Sequence, residues 1–179
     1  MKKDQPSYFS LEKAGIFPQE EMLEVGRKHN KLVIGIPRDN HKIEQRVALT
    51  PEAVEVLVNQ GHEVIIESGA GQAANYQDHE YSENGGFIVR EKDQVYQCDV
   101  IIRISPLTEE EIDYLKGDQI IFTNINLPQQ SAEYIQKLMQ KKVIAIAFEY
   151  LREEDNSFPV IKAMSEIAGT TSILVASEY

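Results

Sequence analysis

The segment "KLVIGIPRDNHKIEQRVALTPEAVEVLVNQGHEVIIESGAGQ" leaves little choice of fold, because its hydrophobic period changes twice within it. The run Leu32 to Ile36 is apolar at nearly every position, as in a strand covered on both faces. Past a polar loop, Val54, Leu57 and Val58 recur at helical spacing, with Glu55 and Asn59 left for solvent. That helix has both ends marked. Thr50 can cap the free amides, Pro51 suits the first helical position, Glu52 complements the dipole and Gly61 supplies the stop. The strand "EVIIE" and a Gly-rich turn follow, which completes a βαβ unit. In open sheets of such units, ligands sit in the crevice beyond the carboxyl ends of the strands. The loop from Pro37 to Leu49 is at such an end, and it carries Arg46.

The alternation continues along the chain. Polar helices are expected near Asp78 to Asn84 and Glu91 to Gln97, then a strand in "DVIIRI". "TEEEIDYLK" opens with a capping box, Thr108 and Glu111, and "GDQIIFTNI" reads as a strand. A further cycle is the helix "QQSAEYIQKLMQKK" and the strand "VIAIAFEY", read as buried. Ser165 is a candidate cap for a last helix running to Tyr179 without a stop signal, so a longer parent chain is expected. The pattern predicts an α/β, Rossmann-like (flavodoxin-like) fold, a mostly parallel sheet with helices on both faces. Residues 1–30 read as an N-terminal extension with an amphipathic helix in "PQEEMLEVGRKHN" and a polar, disordered start from Lys2 to Pro6.

Charge narrows the partner. With 29 Asp and Glu against 18 Lys and Arg, the net charge of -11 disfavours nonspecific binding to nucleic acid or anionic membranes and favours a small metabolite. The single cysteine, Cys98, excludes an intramolecular disulfide, and the four histidines show no metal-ligand spacing, so no metal is expected. No apolar run approaches the roughly 20 residues that span a bilayer, and no signal peptide is evident, so a cytoplasmic setting is expected. "ESGAGQ" contains only G-x-G; a tight turn after a strand accounts for Gly69 and Gly71. The titratable candidates near strand ends are His41, Glu44 and Glu149.

The piece "IGIPRDNHKIEQRVALTPEAVEVLVNQGHEVIIESGAGQAANYQDHEY", together with "AMSEIAG", resembles the alanine dehydrogenase and pyridine nucleotide transhydrogenase N-terminal family. The resemblance covers about Leu32 to Tyr179. It implies a substrate-binding catalytic domain over residues 31–162 and, over 163–179, the start of an interdomain helix leading to an NAD-binding domain outside this chain. It implies NAD as cofactor, alanine and pyruvate as small-molecule substrates, and a homo-oligomer. By the same resemblance Arg46 grips the substrate carboxylate, a task suited to a guanidinium fork, and Met164 and Ser165 lie at the cleft where the serine contacts nucleotide. Read from the residues alone, Arg46 is instead a surface arginine paired with Glu44.

Two positions depart from the family. Arg103 stands where the dehydrogenases carry a lysine that contacts substrate, and Asn126 where they carry a proton-transfer histidine. Neither titrates near neutrality, although both could orient a carbonyl or carboxylate. The first expectation is therefore the substrate-binding part of an NAD-dependent alanine dehydrogenase, inactive as this chain alone. The alternatives are the N-terminal part of a transhydrogenase NAD-binding subunit and a non-catalytic anion-binding relative.

Overall fold

A computed structural model describes residues 31–40 and 42–178. The expected N-terminal helix, the polar start and His41 lie outside the described residues. The apolar run becomes β1 (Val33–Ile36), and β2 (Glu63–Glu67) pairs with it in parallel, so that Ile34 faces Val64 and Ile36 faces Ile66 across the ladder. Between them α1 (Pro51–Asn59) starts where Thr50 Oγ1 accepts the Ala53 N–H, and it stops at Gly61, whose φ of 90° suits a residue without a Cβ. Further on come α2 (Asp78–Glu83), β3 (Phe87–Val89), α3 (Lys92–Tyr96), β4 (Val100–Ile102), α4 (Glu109–Asp113) and β5 (Ile120–Thr123). The chain closes with α5 (Ala132–Gln140), β6 (Ile144–Ala147) and α6 (Pro159–Glu178). All six strands are parallel in the order β3-β2-β1-β4-β5-β6, the doubly wound Rossmann order.

Side-chain alternation divides the interior into two layers. Ile34, Ile36, Val64 and Ile66 pack with Val54 of α1 and Tyr81 of α2, and Val100 and Ile102 join that side. Ile101 and Ile121 point the other way, into Ile112, Leu115, Tyr134 and Leu138 of the α4–α5 layer. Gly35 belongs to this second face. A Cβ there would lie 2.5 Å from the Val95 carbonyl oxygen, so glycine is what lets α3 lie close against β1. Capping boxes start both α2, where Gln77 pairs with Glu80, and α4, where Thr108 pairs with Glu111.

Two expectations are corrected, and one strand joins those expected. β3 was not anticipated, because "FIV" is too short for its period to register and sits between two polar helices. β6, read as a buried strand, is the sheet's edge: Ile144 is 62% exposed and Ala145 is exposed too. Its continuous apolar run imitates a central strand, and only the strand order shows that one flank has no neighbour. Ser165 caps nothing. It lies inside α6, which begins at Pro159, a residue suited to a first helical position because its missing N–H needs no partner there. No helix among the described residues is long and apolar enough to cross a membrane.

Candidate small-anion site at the strand ends

The loop after β1 returns to α1 over the carboxyl edge of the sheet and brings Arg46 close to α6. Glu44 Oε1 accepts from Arg46 Nε at 2.7 Å, and Glu44 Oε2 accepts from Arg46 Nη2 at 2.6 Å. The hydrogen bonds from Arg46 hold the Glu44 carboxyl below the usual carboxylate range, although burial opposes them. The pairing read from the residues alone therefore exists. It occupies only the side-on fork of the guanidinium. The end-on fork, Nη1 with the second hydrogen of Nη2, has as its recorded acceptor the Met164 thioether, 3.2 Å from Nη1. Sulfur is a weak acceptor, so that edge keeps most of its capacity for a carboxylate.

A cavity of about 290 Å³ opens at this edge. Its walls are Arg46, Asn124 past the end of β5, Phe148 past the end of β6, and one face of α6 formed by Ile161, Met164, Ser165 and Ala168. The volume is at the small end of the roughly 300–1,000 Å³ usual for small-molecule sites. Three residues named from sequence, Arg46, Met164 and Ser165, are thus brought together by segments far apart in the chain.

Arg103 and Asn126 are not among the residues of that wall. Arg103 is 4% exposed. Its Nη2 donates to Asp39 Oδ1 at 2.6 Å, and its Nη1 donates to Glu111 Oε2 at 2.7 Å and to the Tyr96 hydroxyl at 3.0 Å. Lys92 Nζ reaches the other Glu111 oxygen at 2.6 Å. Burial opposes charge on Glu111, yet the Arg103 charge and the bonds from Lys92 and the Thr108 amide bring its pKa down to about 2. Through Nη1 and Nη2 Arg103 ties the end of β4 to α4 and to the loop after β1, and it lines a second cavity with Arg38, Asp39 and Lys92. Asn126 has φ 49° and ψ 54°, and its N–H donates to Glu149 Oε1 at 2.7 Å. Asparagine is among the few non-glycine residues that tolerate this left-handed turn.

Two features escaped the sequence reading. Asn124 sits two residues before the position singled out, and strand alternation from Phe122 would have placed it on the face toward Phe148, whose ring centroid is 5.8 Å from that of Phe122. Glu149, one of several titratable candidates, accepts the N–H groups of both Ile125 and Asn126. Nothing in its sequence position signals that bond.

The Gly69 turn does not suit a dinucleotide. The Gly69 N–H, which a phosphate would need, donates to Asp78 Oδ1 at 2.8 Å, and Ser68 Oγ donates to Asp78 Oδ2 at 2.7 Å. A carboxylate already stands where a pyrophosphate would lie, and the turn leads into a single short 3-10 turn, Gln72–Ala74, and not into a long helix.

A doubly wound parallel sheet with an arginine fork opening into a strand-end cavity defines an α/β domain of the Rossmann type with a candidate anion site. Comparison with known proteins makes that class particular. The family described as "Alanine dehydrogenase/PNT, N-terminal domain" matches residues 35–168, and the chain belongs to that family. Alanine dehydrogenase of Staphylococcus saprophyticus is 36% identical over 148 residues, 83% of this chain and 40% of that protein. Alanine dehydrogenase 2 of Staphylococcus aureus is 38% identical over 146 residues, 82% of this chain and 39% of its own length. A solved L-alanine dehydrogenase superposes with a TM-score of 0.76 at 31% identity, over 80% of this chain and 40% of that one. A transhydrogenase from Sinorhizobium meliloti shares the fold, with a TM-score of 0.63 at 23% identity. The chain spans about two fifths of the length of these dehydrogenases.

Proposed function

We propose that this chain is the substrate-binding part of an NAD-dependent alanine dehydrogenase, an enzyme that converts L-alanine to pyruvate and ammonia. The observation that carries the reading is the Arg46 end-on fork, held by Glu44 on the adjacent edge and opening into a cavity of small-molecule size. A carboxylate placed there would receive two parallel N–H donors and displace only a thioether. The relatives named alanine dehydrogenase support the substrate class. Met164 and Ser165, on the α6 side of the same cavity, would meet the nucleotide where it approaches the substrate, and Arg103 would act as a scaffold that fixes the loop. Asn126 would contribute its turn and no proton transfer. NAD belongs to the reading through the family, and no step is assigned to it because the Gly69 turn does not suit it. Residues 31–162 would form the substrate domain, with the helix that follows leading toward the nucleotide. A cytoplasmic homo-oligomer completes the reading.

A second reading has an observation of its own. The cavity wall holds no group that titrates near neutrality, which suits anion binding without deamination, as in a non-catalytic relative or a transhydrogenase subunit. An NMR titration of the chain with pyruvate separates binding from its absence. Shifts at Arg46, Asn124 and Ser165 that vanish in Arg46→Met are expected, with no NAD reduction by this chain and alanine. Absence of those shifts at millimolar pyruvate would sink the carboxylate site, and NADH formation would show that the chain is sufficient for catalysis.

A further inference from the structure

The stretch that carries Arg46 has no apolar anchor of its own. Of the described residues from 38 to 46 only Asp39 is buried, and Ile43 is 81% exposed. Packing against the core resumes at Val47, Ala48 and Leu49. Both Asp39 oxygens bond to the end of β4: Oδ1 accepts from Arg103 Nη2 at 2.6 Å, and Oδ2 accepts the Ile104 N–H at 3.3 Å. Arg103 is not free to follow the loop, because Glu111 of α4 and Tyr96 of α3 hold its Nη1. Local turns begin at the next residue. The Asn40 carbonyl accepts the Ile43 and Glu44 N–H groups, each at 2.9 Å, and Asn40 Oδ1 accepts the Lys42 N–H at 3.2 Å. Glu44 then takes the Arg46 N–H at 2.9 Å as well as the side-on edge of its guanidinium. The contacts thus run without a break from β4 through Asp39 to the Arg46 fork.

We propose that Asp39 is a positioning residue for the carboxylate grip: by pinning the loop to the end of β4 it sets the Asn40 turn, from which Glu44 aims the Arg46 fork into the cavity. The inference rests on the carboxylate reading of that cavity. A binding group works only if the residues behind it hold it closely in place, and a shift of about 1 Å can cost as much as about 100-fold. Charge alone acts in the opposite direction. The Glu44 hydrogen bond raises the Arg46 pKa above its ordinary value and the Asp39 charge adds to that, so Asp39 lies near enough to repel an anionic ligand. Neutralising Asp39 without moving the loop would tighten anion binding, whereas loosening the loop weakens it.

Asp39→Asn separates the two, since it keeps the shape, removes the charge and leaves one acceptor oxygen where two were bonded. Pyruvate affinity, read by NMR titration of the 179-residue chain, is expected to fall about fivefold or more. Glu111→Gln is the control. It weakens the same ion network from the α4 side and lowers stability, yet pyruvate affinity should stay within about twofold because the Asp39 bonds remain. Unchanged or tighter binding in Asp39→Asn would overturn the positioning role and leave the carboxylate reading standing. An equal loss in Glu111→Gln would do the same, because the effect would then follow stability. Should Asp39→Asn fail to fold, Asp39→Glu decides: it keeps the charge but displaces it by a methylene, so weaker binding is expected and unchanged affinity overturns the role. Indifference of pyruvate to Arg46→Met, or no binding by the wild type, would overturn the carboxylate reading and the role of Asp39 with it.

Discussion

Arg46 and Arg103 are the same residue with opposite fates, and the difference lies in which edge of the guanidinium the fold uses. Glu44 takes the side-on edge of Arg46 and leaves the end-on fork to the cavity. Asp39, Glu111 and Tyr96 take the end-on nitrogens of Arg103, with both carboxylates buried. Removing Arg103 would strand those charges. Arg103→Met is expected to cost about 3–5 kcal/mol near neutral pH. The pH dependence has a definite sign. Glu111 is depressed from its ordinary 4.5 to about 2, so its ion pairs stabilise the fold fully above about pH 4.5, and that stability is lost as pH falls toward about 2. Denaturant unfolding measured across this window should show the loss in the wild type and a flattened limb in Arg103→Met. Parallel curves for the two proteins would mean that Arg103 is not what holds the Glu111 carboxyl down.

Among the elements, most boundaries follow from local chemistry. Thr50, Thr108 and Ser131 each accept the N–H three residues on; the first two caps are legible in the sequence because they involve residues within one turn, whereas Ser131 lies inside the run read as helix. The start of α6 was misplaced because Ser165 ahead of an apolar stripe imitates a cap, while Pro159 was the stronger signal. Glycines make a sharper test of element packing. Gly35→Ala puts a Cβ 2.5 Å from the Val95 oxygen and 3.0 Å from Cys98 Sγ, so α3 must retreat from β1. A cost of about 1–3 kcal/mol is expected from such overpacking. Gly169 lies inside α6 with nothing near its missing Cβ, so Gly169→Ala should instead stabilise the helix by about 0.5–1 kcal/mol. Thermal unfolding of the pair gives the comparison. Equal effects at the two positions would show that the α3–β1 approach is looser than described.

At the scale of the described residues together, a well-packed sheet domain carries one weakly attached element. Of α6 only Pro159, Val160 and Met164 are half-buried, and Ile167, Ile173 and Leu174 are each more than 60% exposed. Isolated helices gain most of their stability from packing, so this one depends on few contacts. Backbone amides of β1, β4 and β5 are expected to exchange with solvent only on global unfolding, whereas those of α6 beyond Ala168 should exchange by local opening, orders of magnitude faster. Hydrogen exchange followed by NMR or mass spectrometry measures both. Protection of α6 equal to that of the sheet would show that the helix is covered in solution.

By itself the sequence determined the alternation of strands and helices, the parallel sheet and most helix starts, because these depend on period and on bonds within a single turn. It also placed Arg46 at a strand end and, through the family resemblance, pointed to a carboxylate. It did not show β6 to be an edge, since neighbours across a ladder are set by strand order and an edge run can be as apolar as a central one. Only the tertiary structure decided which arginine keeps a free fork. That outcome depends on where Asp39, Glu44 and Glu111 arrive in space, and Asp39 and Arg103 meet across 64 residues of chain. The same holds for Asn124, a single polar residue at the end of a strand, which became part of a cavity wall when Arg46 and α6 folded beside it.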